Sequence, residues 1–338
     1  MSGSYKREIF IRYAHCSFID YGGIPMLRSF EEVLQAIKIA EPRSVAVAAA
    51  NEISIIEALR KAQESDIGIP KFFGDAEIIR ANADQIGWKL VDAHIVHVPD
   101  PYEASTQATL AVREGRCDIL MKGQIHTDDF LRALLDKEKG LRMGVAMSHV
   151  FVIEMSSQKR LIFVTDGAMN IAPDLVRKAE IILNAVYLTN AFGLEIPRVA
   201  ALAAVELVNP AMPATIDAAA LAKMCDRKQF PGCIIDGPFG LDNAISATAA
   251  KIKGIVSPVA GNADILLVPD IESGNMLVKC FSHMCGGRTA GVLVGASSPV
   301  VLTSRADSIE DKFLSIAVAV LMENLARMGR VKIGRAHY

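Results

Sequence analysis

The chain has 338 residues, 51% of them hydrophobic and 22% charged, with a formal net charge of −2 at pH 7. That balance excludes a disordered chain, and near-neutrality gives no electrostatic case for nucleic acid or an anionic membrane as partner. At ~150 residues per domain the length favours two domains, and no stretch has the ~20 consecutive apolar residues that cross a bilayer.

Residues 1–25 carry no clear period and precede Met26. They are expected to be an extension and are set aside from fold reasoning. No export signal opens the chain, so a cytoplasmic location is expected. The six cysteines, at positions 16, 117, 225, 233, 280 and 285, contain no C-x-x-C. They are read as reduced and mostly buried.

From Met26 a strand and helix rhythm begins. Ser29 to Glu32 reads as a capping box opening a helix to about Ala40. Ser44–Ala50 is a short apolar run expected as a buried strand, and Asn51 is expected to cap the next helix. Lys71–Gly74 reads as a strand, Ala76–Ile86 as a helix, Ala93–Val98 as a strand and Glu103–Arg113 as a helix. Asp118–Gly123 is a strand ending in a loop, after which Thr127 opens a helix stopped by Gly140. Val150–Met155 and Leu161–Thr165 form a strand pair. Pro173 is placed in the first turn of a helix ending at Gly193, where its missing N–H costs little. Val199–Val205, Cys233–Asp236, Asp264–Val268 and Gly291–Val294 are further apolar strands. A long amphipathic helix closes the chain, with Phe313, Ile316, Ala317, Val320 and Leu321 on one face.

Strands alternating with helices imply crossover connections and a mostly parallel sheet covered on both faces. In such sheets ligands lie beyond the carboxyl ends of the strands. The expected fold class is therefore α/β.

Common catalytic signatures are missing. There is no G-x-x-x-x-G-K-[ST], G-x-G-x-x-G after a strand, G-x-S-x-G or H-E-x-x-H. Ser156 to Lys159 matches S-x-x-K only by letter, in a polar turn. Cys280, His283 and Cys285 lie close in sequence but lack a fourth ligand, and no metal site is expected. His94 and His97 read as structural.

Three strand-to-loop junctions carry the functional signal. At Thr303-Ser304-Arg305 a strand ends and a helix begins. Helix N-termini suit anions, and an arginine fork matches phosphate. Ser308 and Asp311 have capping-box spacing, so Asp311 has a structural reading as well. At Lys122-Gly123 a turn leads to Thr127, which could cap a helix or help cradle phosphate oxygens. Pro269–Asn275 is expected as a polar loop directly after an apolar strand.

Read together, Thr165–Asp174, Glu206–Thr215, Asp236-Gly-Pro, Pro269–Met276 and Thr303–Ser308 resemble the phosphate acetyl/butyryl transferase family, closest to its phosphate butyryltransferase branch. The resemblance implies an isocitrate/isopropylmalate dehydrogenase-like fold of two αβα domains with an interdomain cleft. The first domain would be residues 26–147 plus 295–338, and the second residues 148–294, through which members usually oligomerise. It implies reversible transfer of a butyryl or similar short acyl group between coenzyme A and inorganic phosphate. Coenzyme A would be a co-substrate, with no permanently bound cofactor. Acyl-CoA, phosphate and acyl phosphate would be the partners, and a homodimer or larger homo-oligomer the assembly. Ser304, Arg305 and Asp311 would be catalytic, with Asp311 as the carboxylate that takes the thiol proton or orients the thiol. Lys122, Gly123, Thr127, Gly274 and Asn275 would bind substrate, with Lys122 standing where the acetyl branch commonly has serine. Two alternatives are a metal- and NAD-dependent dehydrogenase on the same fold and a non-catalytic module that binds coenzyme A or a phosphoester.

Overall fold

The structure is a computed structural model and describes residues 25–329. Residues 1–24, with most of the expected extension and Cys16, lie outside the described residues, as do residues 330–338. The chain divides into two units. The first is Ser29–Val145 with Arg288–Met328, and the second contains Ala146–Gly287.

The chain enters the first unit through α1 (Phe30–Ile37), where the Ser29 hydroxyl accepts the Glu32 N–H at 3.2 Å. Then come β1 (Arg43–Ala48), α2 (Ile53–Glu64), β2 (Gly68–Gly74) and α3 (Ala76–Gln85). After them come β3 (Ile95–His97), α4 (Pro101–Arg113), β4 (Ile119–Lys122) and α5 (Thr127–Leu134). Asp75 and Asp100 cap α3 and α4 by accepting first-turn N–H groups, the usual way of satisfying a helix's orphan donors. Asn51 does not cap α2. The turn that closes β1 places Glu52 at that position, and Asn51 instead accepts the Asp75 N–H at 3.1 Å.

The chain then builds the second unit. An antiparallel pair, β5 (Ser148–Glu154) and β6 (Ile162–Thr165), precedes α6 (Leu175–Ala191). Asp174 caps α6, so Pro173 sits just outside the helix and not in its first turn. β7 (Arg198–Leu202), α7 (Pro213–Asp226), β8 (Ile234–Phe239), α8 (Leu241–Ile245), α9 (Ala247–Ile252), β9 (Ile265–Leu267) and α10 (Ile271–Lys279) follow. Within this unit the strands run β5-β6-β9-β7-β8, parallel from β6 onward. Continuous apolar strands fit a sheet covered on both faces, and Ile162, Val164, Ala200 and Leu266 are core members.

β10 (Arg288–Val294), β11 (Val300–Val301) and α11 (Ile309–Arg327) return to complete the first unit. Its strand order is β3-β2-β1-β4-β11-β10, parallel except where β10 meets β11. Helix α11 is not the half-exposed amphipathic helix expected. Every residue from Lys312 to Met322 is buried, because the helix packs on β10, α1 and α2. Its apolar residues all round are those of a core helix. Overall, the α/β fold with mostly parallel strands is the one observed.

Candidate active site

Strand register positions the first-unit site. Ala48 pairs with Lys122, and Val301 with Met121, in parallel strands. The turns leaving β4 and β11 therefore start side by side at the carboxyl edge of the sheet, where ligands of open α/β sheets bind. One turn is Lys122-Gly123 and the other Thr303-Ser304-Arg305.

Gly123 is there because nothing larger fits. A Cβ at this position would lie 2.3 Å from both the Ala48 and Ala49 carbonyl oxygens. The turn is held by Gly123 N–H to Ala48 O at 2.8 Å and Gln124 N–H to Ala49 O at 2.7 Å. Those two N–H groups are therefore spent within the protein. The remaining backbone donors of this junction belong to the first turn of α5. His126, not Thr127, occupies its N-cap position, and no side chain caps it. Thr127 is the first helical residue, followed by Asp128 and Asp129, whose carboxylates already complement the helix dipole.

Lys122 is the unusual member. The residue is only 5% exposed, and its ammonium makes one long contact, 3.4 Å to the Gly123 carbonyl. Burial pushes its pKa below the ordinary lysine range, and the positive charges of Arg305 and Lys312 push the same way against Glu52 and Asp307. Three cations facing two carboxylates leave a local positive excess, which suits an anion.

Ser304 and Arg305 are exposed on the adjacent turn. Asp307 closes that turn by accepting the Ser304 N–H at 2.7 Å, while the Ser304 hydroxyl accepts the Ala306 N–H at 3.3 Å. Asp311 sits below, half-buried, in the expected capping box. One carboxylate oxygen accepts the Thr289 N–H at 2.7 Å. The other accepts the Ser308 hydroxyl at 2.6 Å and the Ser308 N–H at 3.3 Å. The three residues thus share one strand-to-helix connection, with the hydroxyl and guanidinium reachable and the carboxylate engaged beneath them.

In the second unit, the segment expected as a polar loop at Pro269–Asn275 is mostly the first turns of α10. Asp270 caps it by accepting the Ser273 N–H at 2.8 Å, the standard N-cap bond. Gly274 is buried where a Cβ would come within 2.8 Å of the Gly167 Cα. The Asn275 amide donates to the Gly167 carbonyl at 3.2 Å. These two residues therefore pin the loop after β6. Asp166 organises that loop, accepting N–H groups from Ala168 and Met169, each at 3.0 Å.

Residues 100–320 match the family model described as phosphate acetyl/butaryl transferase. A phosphate butyryltransferase of Clostridium beijerinckii is 46% identical over 297 residues, covering 88% of this chain and 98% of the relative. The chain belongs to this family. A phosphate acetyltransferase of Thermotoga maritima is 44% identical over 86% of this chain and 99% of its own. A crystal structure of a branched-chain phosphotransacylase from Enterococcus faecalis superposes with a TM-score of 0.72 at 32% identity, covering 83% of this chain and 99% of that one. The family is one of acyltransferases.

Cys280 to Met284 form one π-helical turn, and Cys285 is exposed. Among the described residues no group of three or more His, Cys, Asp or Glu side chains could hold a metal ion. The five cysteines among the described residues are free, and of these only Cys117 and Cys233 are buried, fewer than expected. His97 is structural, accepting the Ala76 N–H at 3.1 Å. No helix among the described residues is long and apolar enough to cross a membrane.

Sequence reasoning missed Glu52, Asp307 and Lys312. A lysine one position after a capping Asp reads as solvated surface, and only the folded helix shows Lys312 to be 1% exposed. Asp307 bonds backwards to the N–H three residues before it, as the N3 acid of a capping box does.

Proposed function

We propose that this chain reversibly transfers a short acyl group, butyryl or similar, between coenzyme A and inorganic phosphate. Coenzyme A is a co-substrate, and no permanently bound cofactor is needed. The observation that carries the reading is the positive charge of Lys122 and Arg305 on turns that leave adjacent strands, with the Ser304 hydroxyl next to Arg305, in a chain of this transferase family. Family membership also separates the reading from a dehydrogenase on a related fold and from a module that only binds.

In this reading Arg305 and Lys122 hold the phosphate, or the phosphoryl end of acyl phosphate. Gly123 gives the turn its close approach, and the first turn of α5 at Thr127 offers backbone donors. Of the Gly274-Asn275 pair, the half-buried Asn275 is the proposed substrate contact of the second unit, and buried Gly274 supports it by letting α10 approach Gly167. The Ser304 hydroxyl donates to the oxygen that becomes negative as the thioester carbonyl is attacked. In the acyl-CoA-forming direction, the thiol sulfur bonds to the acyl carbon and the carbon–oxygen bond to phosphate breaks. The thiol proton ends on the released phosphate, so charge balances without a covalent acyl-enzyme. Asp311 is proposed to act by orientation. With its oxygens taken by Thr289 and Ser308, it secures the connection that carries Ser304 and Arg305.

Exposed Leu207, Val208, Met212 and Ile216 on the second unit support association as a homo-oligomer, which light scattering would reveal. A substrate as charged as coenzyme A does not cross membranes unaided, which supports a cytoplasmic setting.

The test is thiol release from acetyl-, propionyl-, butyryl- and branched acyl-CoA, with and without phosphate. Phosphate-dependent release that is best with a four- or five-carbon chain is expected. Release that ignores phosphate overturns the reading.

A further inference from the structure

Lys312 begins the buried stretch of α11, with its side chain only 1% exposed. An ammonium so placed persists only if its charge and donors are matched. Its Nζ donates to the Asp307 carbonyl at 2.6 Å and lies 3.4 Å from the Arg305 carbonyl. The Glu52 carboxylate, at the start of α2, is 3.6 Å away and only 19% exposed. Both carbonyls belong to the turn that carries Ser304 and Arg305. The turn is thus wrapped around a fixed cation, and that cation is tied to a second helix.

We infer that Lys312 is a positioning residue for phosphate, acting through Arg305: its buried ammonium anchors the Arg305–Asp307 backbone and so aims the exposed guanidinium. This rests on the transferase reading in which Arg305 contacts phosphate. The root of a long flexible side chain is locked before substrate arrives, which lowers the ordering cost of binding. The groups facing the ammonium are Glu52 from α2 and the 305–307 turn. Lys122, at the end of β4, shares the same charge cluster. Preorganisation of this kind is paid at folding and not at each turnover.

The inference makes a split that a purely structural lysine would not. Lys312→Met should raise the KM for phosphate about tenfold and lower kcat about tenfold, while the KM for acyl-CoA stays within about twofold. Glu52→Gln is the second variant, because that side chain caps no backbone N–H and a glutamine oxygen can still accept the Ser54 hydroxyl that Glu52 accepts, so the change should leave the fold intact. It should raise the phosphate KM about threefold, again sparing acyl-CoA. In an Arg305→Ala background each change should add less than about twofold, since residues that act through one another are non-additive. Normal phosphate KM in both variants, equal effects on both substrates, or full additivity with Arg305→Ala overturns the inference. If the unaltered chain shows no phosphate-dependent thiol release, the transferase reading fails first. If it does, and Arg305→Ala alone raises the phosphate KM, only the role of Lys312 falls.

Discussion

Asp311 accepts the backbone N–H of Thr289 at 2.7 Å, tying the first turn of α11 to the start of β10. The same carboxylate closes the capping box with Ser308. Asp311→Ala removes both, leaving a half-buried N–H without its acceptor, and should cost about 1–3 kcal/mol of stability. Asp311→Asn keeps one acceptor oxygen and should cost less. If the carboxylate orients and does not take a proton, Asp311→Asn should lower kcat by about tenfold or less and leave the acid limb of the pH–rate profile in place. Urea unfolding and a pH–rate profile on the same preparations check this. Loss of the acid limb would show that the carboxylate takes the thiol proton.

Ser304 and Arg305 stand one residue apart and are expected to fail differently. Removing one donor to a developing oxyanion typically costs ~10²–10³ in rate, so Ser304→Ala should lose about that much kcat with little change in either KM. Arg305→Lys keeps the charge but not the planar fork, and should mainly raise the KM for phosphate. Neither change should alter thermal stability much, because both side chains are exposed. Steady-state kinetics with each substrate varied separately distinguishes them. A Ser304→Ala enzyme with ordinary turnover removes that residue from the mechanism.

The alternation of strands and helices was readable because apolar runs, caps and glycine turns all agreed. The Thr-Ser-Arg turn was readable for the same reason, since a strand end meets a capping box there. What escaped depended on distant partners. Nothing local says that Lys312 is buried, because its partners are Glu52 and two carbonyls reached only once α11 packs against α2. The segment after β9 looked like a polar loop, yet Asp270 with Ser273 makes it a capped helix. Asn51 looked like a cap by composition, but the turn at Ala49, with φ of 57°, moved the helix start one residue on.

Gly123→Ala isolates a packing requirement from a chemical one. The added methyl would meet the Ala48 and Ala49 carbonyl oxygens at 2.3 Å, so the end of β1 must move. Overpacking of this kind costs about 1–3 kcal/mol. The displaced turn also carries Lys122, so phosphate KM should rise in parallel with the drop in stability. Thermal unfolding measures the first, and steady-state kinetics with phosphate varied measures the second. An Ala variant with an unchanged melting temperature would mean that the turn is looser than its contacts imply.

Lys122 provides the pH test. Its pKa is lowered in the folded chain, chiefly by burial, whereas the unfolded chain holds the proton up to the ordinary ~10.4. Between the lowered value and the ordinary one the unfolded state binds more protons, so stability should rise with pH across that window. Below it both states are protonated and the burial penalty is present in full. Lys122→Met should therefore be more stable than the unaltered chain at neutral pH and should flatten the rise at alkaline pH. The functional consequence runs the other way. Phosphate needs the charged ammonium, so its affinity should weaken as pH climbs through the lowered pKa, and Lys122→Met should lose both the affinity and its pH dependence. Melting curves from pH 7 to about pH 10.5, recorded with and without saturating phosphate, read both effects at once. A Lys122→Met protein that is less stable at pH 7 yet still strongly stabilised by phosphate would show that the lysine serves packing and not the anion.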